Sequence, residues 1–219
     1  LVYCEANRKL GQILYRRGEH EKAEKYYKIA LDKATQILDK RGIADSYRAL
    51  GNLYIAKGDF SKAIEYLLKA LEGAKDIEDG DIIARIHIDL GTVYSNMGES
   101  EKAIDYYERA LEELKGREDK YQLAMVMNAL GIAYASIEDY EKALEYYETA
   151  MNIAEDIGDV RQLGMGLMNA SEVYIKKGMY HHAAQCLEDA QNIFTKLGEK
   201  FILSHIYRTY AAIYSQRRD

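Results

Sequence analysis

The chain has 219 residues, 48% hydrophobic and 30% charged, with no proline and a net charge of −6. That composition excludes a disordered chain and suits a folded, all-helical one. The acidic balance argues against nucleic acid or an anionic membrane as the main partner, because both require a basic face. No apolar run approaches the roughly 18 residues that cross a membrane, and no signal peptide is visible. A cytoplasmic location is therefore expected.

Taken in order, the chain repeats itself. Residues 1–40 carry a weak copy of a pattern: Leu10-Gly11, Gly18, Ala23, Tyr26 and Ala30. Residues 41–80 carry it in full, as Leu50-Gly51-Asn52-Leu53-Tyr54, Gly58-Asp59, Ala63, Tyr66 and Ala70. It returns in 81–120 as Leu90-Gly91-Thr92-Val93-Tyr94, Gly98-Glu99, Ala103, Tyr106 and Ala110. In 121–160 it reads Leu130-Gly131-Ile132-Ala133-Tyr134, Asp139-Tyr140, Ala143, Tyr146 and Ala150. Degraded copies follow in 161–200 (Ala170 to Tyr174) and in a half repeat, 201–219 (Tyr210 to Tyr214). A period of forty without insertions is the mark of a stacked array in which each unit contacts its neighbours. The chain begins at Leu1 and stops within a repeat, which suggests a piece of a longer protein.

Each unit reads as two helices. Ile43, Tyr47, Leu50, Gly51 and Tyr54 lie on one face of a 3.6-period helix, and Ala63, Tyr66, Leu67, Ala70, Leu71 and Ala74 on one face of the next. Asp39, Asp79, Asp119, Asp159 and Glu199 precede the first helices, where an acid caps free amides and suits the positive end of the dipole. Gly18, Gly58, Gly98 and Gly178 end them with a left-handed residue, and Glu138 occupies that slot in the fourth repeat. Gly51 and Ala63, with their counterparts, read as bare patches where two helices cross closely. Eleven helices are predicted, starting near residues 2, 20, 41, 60, 81, 100, 120, 140, 160, 180 and 200. Gly166 has no packing reason on this reading, which marks the fifth repeat as the softest inner one. The half repeat lacks a covering helix for Ile206, Tyr207, Tyr210 and Tyr214, so self-association through that end is expected.

Nothing in the chain reads as a catalytic or metal centre, and no cofactor motif is present. His181-His182 is the one histidine cluster, and adjacent residues do not share a helix face. It reads as a solvated first turn. Cys4 and Cys186 form no CxxC pair, and Cys4 falls in the column of Ala44, Ala84 and Ala124, as a small buried thiol would. Most of the twenty tyrosines recur on the apolar stripes and read as core rather than as a base-stacking platform.

Leu-Gly-x-x-Tyr, Gly-Asp/Glu-x-x-Lys-Ala and Tyr-Tyr/Leu-x-x-Ala-Leu together resemble the tetratricopeptide repeat over essentially the whole chain. The resemblance is to the longer form, like that of Pins/LGN scaffolds, kinesin light chains and Rap-type receptors, with a second helix expected to run through Ile37, Ile77, Ile157 and Leu197. It implies an all-α, right-handed superhelical solenoid of antiparallel helix pairs, about five and a half repeats forming a single domain over 1–219. It also implies a concave groove, lined by the first helices, that takes a peptide or helical segment. The columns matching the family's ligand-contacting positions hold Arg8, Gln12, Arg48, Asn52, Arg85 and Asn96, then Met125, Asn128, Met165, Met168 and Lys176, with His205, Arg208 and Gln216 beyond. The basic residues predict acidic ligand groups toward repeats one to three, and the methionines predict apolar anchors toward four and five. The asparagine and lysine set of the two-carboxylate chaperone clamp is absent in register. The expected protein is thus a non-enzymatic interaction scaffold, or else the ligand-sensing part of a larger signalling protein such as a transcription regulator or kinase.

Overall fold

The computed structural model describes the backbone of residues 2–216 and the side chains of residues 3–213. Its helices are α1 (Val2–Arg16), α2 (His20–Gln36), α3 (Lys40–Ala56), α4 (Phe60–Lys75), α5 (Gly80–Asn96), α6 (Ser100–Leu114), α7 (Lys120–Ser136), α8 (Tyr140–Asp156), α9 (Val160–Lys176), α10 (Tyr180–Leu197) and α11 (Lys200–Gln216). Every predicted start falls within a residue of an observed one. The caps explain why. Asp39, Asp79, Asp119 and Asp159 each accept the amide N–H three residues on, at 3.0–3.2 Å. Asp59 and Asp139 do the same for α4 and α8, at 3.2 Å. Glu199, in the acidic column, turns both carboxylate oxygens to Arg161, at 2.8 and 3.3 Å.

The helix ends carry left-handed residues, and more of them than predicted. Gly18, Gly58, Gly98 and Gly178 have φ of 71–76° as expected, and Glu138 takes the same conformation at 63°. The second helices close in the same way, on Gly116, Gly158 and Gly198 but also on Leu38 (φ 56°) and Glu78 (φ 51°). This closure stops α2, α4 and α8 at Gln36, Lys75 and Asp156. Ile37, Ile77 and Ile157 therefore lie just past their helices, and of the four expected residues Leu197 alone is helical. A side chain in the left-handed region costs about 1 kcal/mol, part of which glycine returns as unfolded-chain entropy. Glu138→Gly is expected to raise the urea midpoint by up to about 1 kcal/mol of stability. A lower midpoint would mean that the Glu138 side chain contributes something else.

The chain folds as two compact units, Leu1–Lys115 and Gly116–Asp219. In the first, α1 to α6 pack each on the next, and the alternate helices α1, α3 and α5 also touch one another. In the second, α7 to α11 pack in the same manner, with α7 touching α9. The glycines permit this. A Cβ on Gly11, Gly91 or Gly131 would come within 2.4–2.6 Å of the Tyr27, Tyr107 or Tyr147 ring, and one on Gly51 within 2.7 Å of Leu67. The bare patch thus receives a large side chain of the partner helix, and at Gly51 the Ala63 carbonyl also lies within 3.5 Å of the added Cβ, the close approach that was predicted. Gly166 has a partner after all: its added Cβ would meet Cγ of Met151 at 2.6 Å. That contact removes the reason for singling out the fifth repeat as soft.

The tyrosines pack as predicted, in stacked pairs. Tyr54–Tyr66, Tyr94–Tyr106 and Tyr134–Tyr146 have ring centroids 5.3–5.5 Å apart. Lys62, Lys102 and Lys142 place an ammonium 4.8–5.2 Å from the first ring of each pair. At the last repeat, Ile206 and Ile213 are fully buried with Leu187 and Phe194, and the Tyr210 hydroxyl donates to the Ala184 carbonyl at 3.2 Å. The expectation that Ile206 and Tyr210 lie uncovered is corrected: α10 covers them, because that face of α11 is the one turned to the preceding repeat. Phe201 and Tyr207 stay exposed, and Tyr214 and Gln216 have side chains outside the described residues.

Candidate functional site

In the first unit α1, α3 and α5 set a row of polar side chains around a concavity of about 310 Å³. Five of the residues singled out by register line it together: Arg8, Gln12, Arg48, Asn52 and Arg85. Tyr15, Tyr27, Asp45 and Ala49 complete the wall. Asn96 is exposed in the last turn of α5 and is not part of this lining.

Two of the arginines are spoken for. Arg8 is ion-paired with Asp45 of the next repeat. Arg48 donates through Nε to Asp89 of the repeat after its own at 2.6 Å, and the Asn52 amide donates to the same carboxylate at 3.1 Å. Burial pushes the Asp89 carboxyl above its ordinary range, and Arg48 and Asn52 oppose that. These pairs tie α1 to α3 and α3 to α5. Arg85 is different: its Nε donates to the Asp81 carbonyl at 3.1 Å, and its terminal nitrogens have no hydrogen bond among the described residues. Three guanidinium groups set against Asp45 and Asp89 leave one positive charge, and Arg85 carries it facing the concavity.

The second unit has the equivalent rung in neutral form. The Asn169 amide donates to Asn128 Oδ1 at 2.9 Å, at positions corresponding to Asp89 and Arg48. Met125 and Ile132 flank it on α7, 39% and 40% exposed. Met165 is half-buried against the α9–α11 core. Met168 departs from the prediction: at 9% exposure it lies in that core with Ala183, Leu187 and Phe194. An unbranched thioether can reach inward from a wheel angle that leaves a shorter residue at the surface. Lys176 is exposed in the last turn of α9.

The register rule missed Asp89, although the signal was there: the partners in Arg48–Asp89 and Asn128–Asn169 are each separated by one repeat plus one residue. Among the described residues no group of three or more His, Cys, Asp and Glu could hold a metal ion, and no helix is long and apolar enough to cross a membrane. His181 and His182 are exposed, and the His182 ring lies 5.4 Å from that of Tyr174.

Comparison with known proteins agrees with the repeat pattern. The tetratricopeptide-repeat family profile matches residues 3–76 and 78–156. No curated protein sequence matched. Among solved structures, BtubC (BKLC) from P. vanneervenii is 26% identical over 89% of this chain and 80% of its own, with a TM-score of 0.79. A signal-transduction ATPase (STAND) with a tetratricopeptide-repeat sensor, from Pyrococcus horikoshii, is 23% identical with a TM-score of 0.84. That match covers 93% of this chain but 31% of the ATPase. A Rap protein complexed with competence and sporulation factor is 19% identical over 97% of this chain and 64% of its own, with a TM-score of 0.72.

Proposed function

The chain belongs to the tetratricopeptide-repeat family, and on that premise we propose that it is a non-enzymatic scaffold holding a peptide or helical segment against its first helices. The observation that carries this reading is the first-unit concavity, where Arg85 offers unpaired guanidinium nitrogens beside the Asn52 and Gln12 amides. A guanidinium fork suits a carboxylate, and side-chain amides suit the peptide backbone. Because Arg8 and Arg48 are already neutralised, the ligand presents one acidic group here rather than an acidic run. In the second unit, Met125 and Ile132 give an apolar anchor its contact, with the Asn128–Asn169 rung beside them. Likeness to a Rap protein complexed with competence and sporulation factor supports an array of this kind holding a partner. Likeness to the sensor of a much longer ATPase supports the second reading, in which this array reports ligand binding to parts of a larger protein.

The test is selection from a random peptide library displayed against the purified protein, followed by titration of the enriched sequences. Enrichment of one acidic residue is expected. Arg85→Glu should weaken those peptides by roughly tenfold, with a steeper salt dependence for the wild type. Enriched peptides that bind Arg85→Glu as well as wild type would remove the acidic group from the proposal. No enrichment at all would remove the concavity.

A further inference from the structure

The first-unit concavity changes character along its length. Arg85 lies in the first half of α5, next to the Asp89 carboxylate that Arg48 and Asn52 hold. Tyr15 lines the same concavity from the last turn of α1. Its ring stacks on that of His20, with centroids 5.8 Å apart and planes 22° from parallel, which fixes the direction it faces. The wall around it is apolar, because Tyr15 and Ala49 pack on the cluster that holds Tyr27 and Leu53. Ile55, Ser95, Ala135 and Ile175 occupy the column of Tyr15 in the other repeats and are half-buried as it is. The opening of Tyr15 to solvent therefore does not come from its place in the first repeat. No other residue of that column is aromatic.

The separation of the two ends follows from the register. Arg85 is fifth in its repeat and Tyr15 fifteenth, and ten residues of helix rise about 15 Å. Sideways, α1 touches α3 and α3 touches α5, which sets two helix spacings of about 8–10 Å between them. The diagonal is about 22–25 Å between backbones, and shorter between the side-chain ends, since both lean into the concavity. An extended peptide advances about 3.3 Å per residue, so about five to seven residues span it. A helix is about 10–12 Å across with its side chains, and along this diagonal it would stand mostly outside a concavity of about 310 Å³.

On the reading that this concavity holds the ligand, we propose that the ligand is an extended peptide with two anchors. Its acidic residue meets Arg85, and an aromatic or long aliphatic residue about five to seven positions away packs on Tyr15. Tyr15 is then the residue that selects the second anchor. A ring already held in a stack gives broad apolar contact with little left to order on binding.

The probe is a display library of peptides with a glutamate fixed at the centre and every other position random, selected against the protein. Aromatic and long aliphatic residues should peak about five to seven positions from the glutamate, on either side of it. An enriched peptide and its counterpart with alanine at the peak are then titrated by fluorescence anisotropy. The alanine peptide should bind wild type roughly tenfold more weakly, and the ratio should fall to about twofold or less in Tyr15→Ala. A loss of folded protein would weaken both peptides alike and leave the ratio unchanged, so the ratio reports contact with the ring. A peak outside that window, or none among peptides that still need Arg85, overturns the two-anchor ligand and leaves the scaffold reading standing. The same ratio in Tyr15→Ala as in wild type overturns the role of Tyr15. No enrichment of any peptide overturns this proposal and the concavity together.

Discussion

Replacing Met168 with glutamate is expected to destabilise the second unit by about 3–5 kcal/mol, since it leaves an unpaired charge in a packed core. The side chain sits with Ala183, Leu187, Ala190, Phe194, Ile206 and Ile213, and nothing in that set offers a hydrogen bond to a carboxylate. The glutamate would either be protonated or pull α9 away from α10, and both cost stability. Met125→Glu is the control. It changes a side chain 39% exposed on α7 and should shift stability by no more than about 0.5 kcal/mol, while weakening any ligand with an apolar anchor. Urea unfolding of the two single variants separates the cases. A Met168→Glu protein as stable as wild type would put that methionine back on the ligand-facing stripe.

The different fates of the two methionines show how far the sequence could be read. Residues one period apart share a wheel angle, so Met125 and Met165 fall on one stripe, and both stand at least partly open to solvent. Met168 falls on that stripe by angle as well, but burial depends on what the adjacent helix brings. Phe194 replaces a column that elsewhere holds Ala34, Ala74, Leu114 and Ala154, and Ile206 comes in beside it. Such differences between repeats are long-range facts, and a single-helix wheel does not contain them. Helix starts were legible because aspartates mark them locally. The left-handed Leu38 and Glu78 were not, because glycine usually marks that conformation and neither residue does. Arg8, Gln12, Arg48, Asn52 and Arg85 fell into one concavity because first helices of adjacent repeats touch. The wheel does not show that Asp45 and Asp89 neutralise two of the three arginines, because those pairs form across repeats.

Acid should weaken the first unit through His87. It occupies a column that holds Tyr47, Met127 and Leu167 in neighbouring repeats, and it is 6% exposed with no hydrogen-bond partner for Nδ1. Burial lowers its pKa from 6.5 to about 4, and the Arg109 and Lys75 cations push in the same direction, against weaker pulls from the Arg109 backbone and Asp105. Neutral imidazole is thus the form the fold accepts. Above about pH 6.5 neither the folded nor the unfolded chain holds the proton, and the titration costs nothing. Between 6.5 and 4 the unfolded chain takes it up and the folded one does not, so stability falls as pH falls. Integrated across that window the loss approaches about 3 kcal/mol, most of it complete by pH 4.5. His87→Met places in the column the residue that the fourth repeat already uses there, and it should remove this slope. Urea midpoints of the two proteins at pH 7.5, 5.5 and 4.5 give the comparison. The difference in stability between His87→Met and wild type should widen by about 2–3 kcal/mol from the first pH to the last, whatever the carboxylates contribute to both. A constant difference would mean that His87 takes up its proton in the folded state, through an opening of the α5–α6 packing that exposes the ring to water.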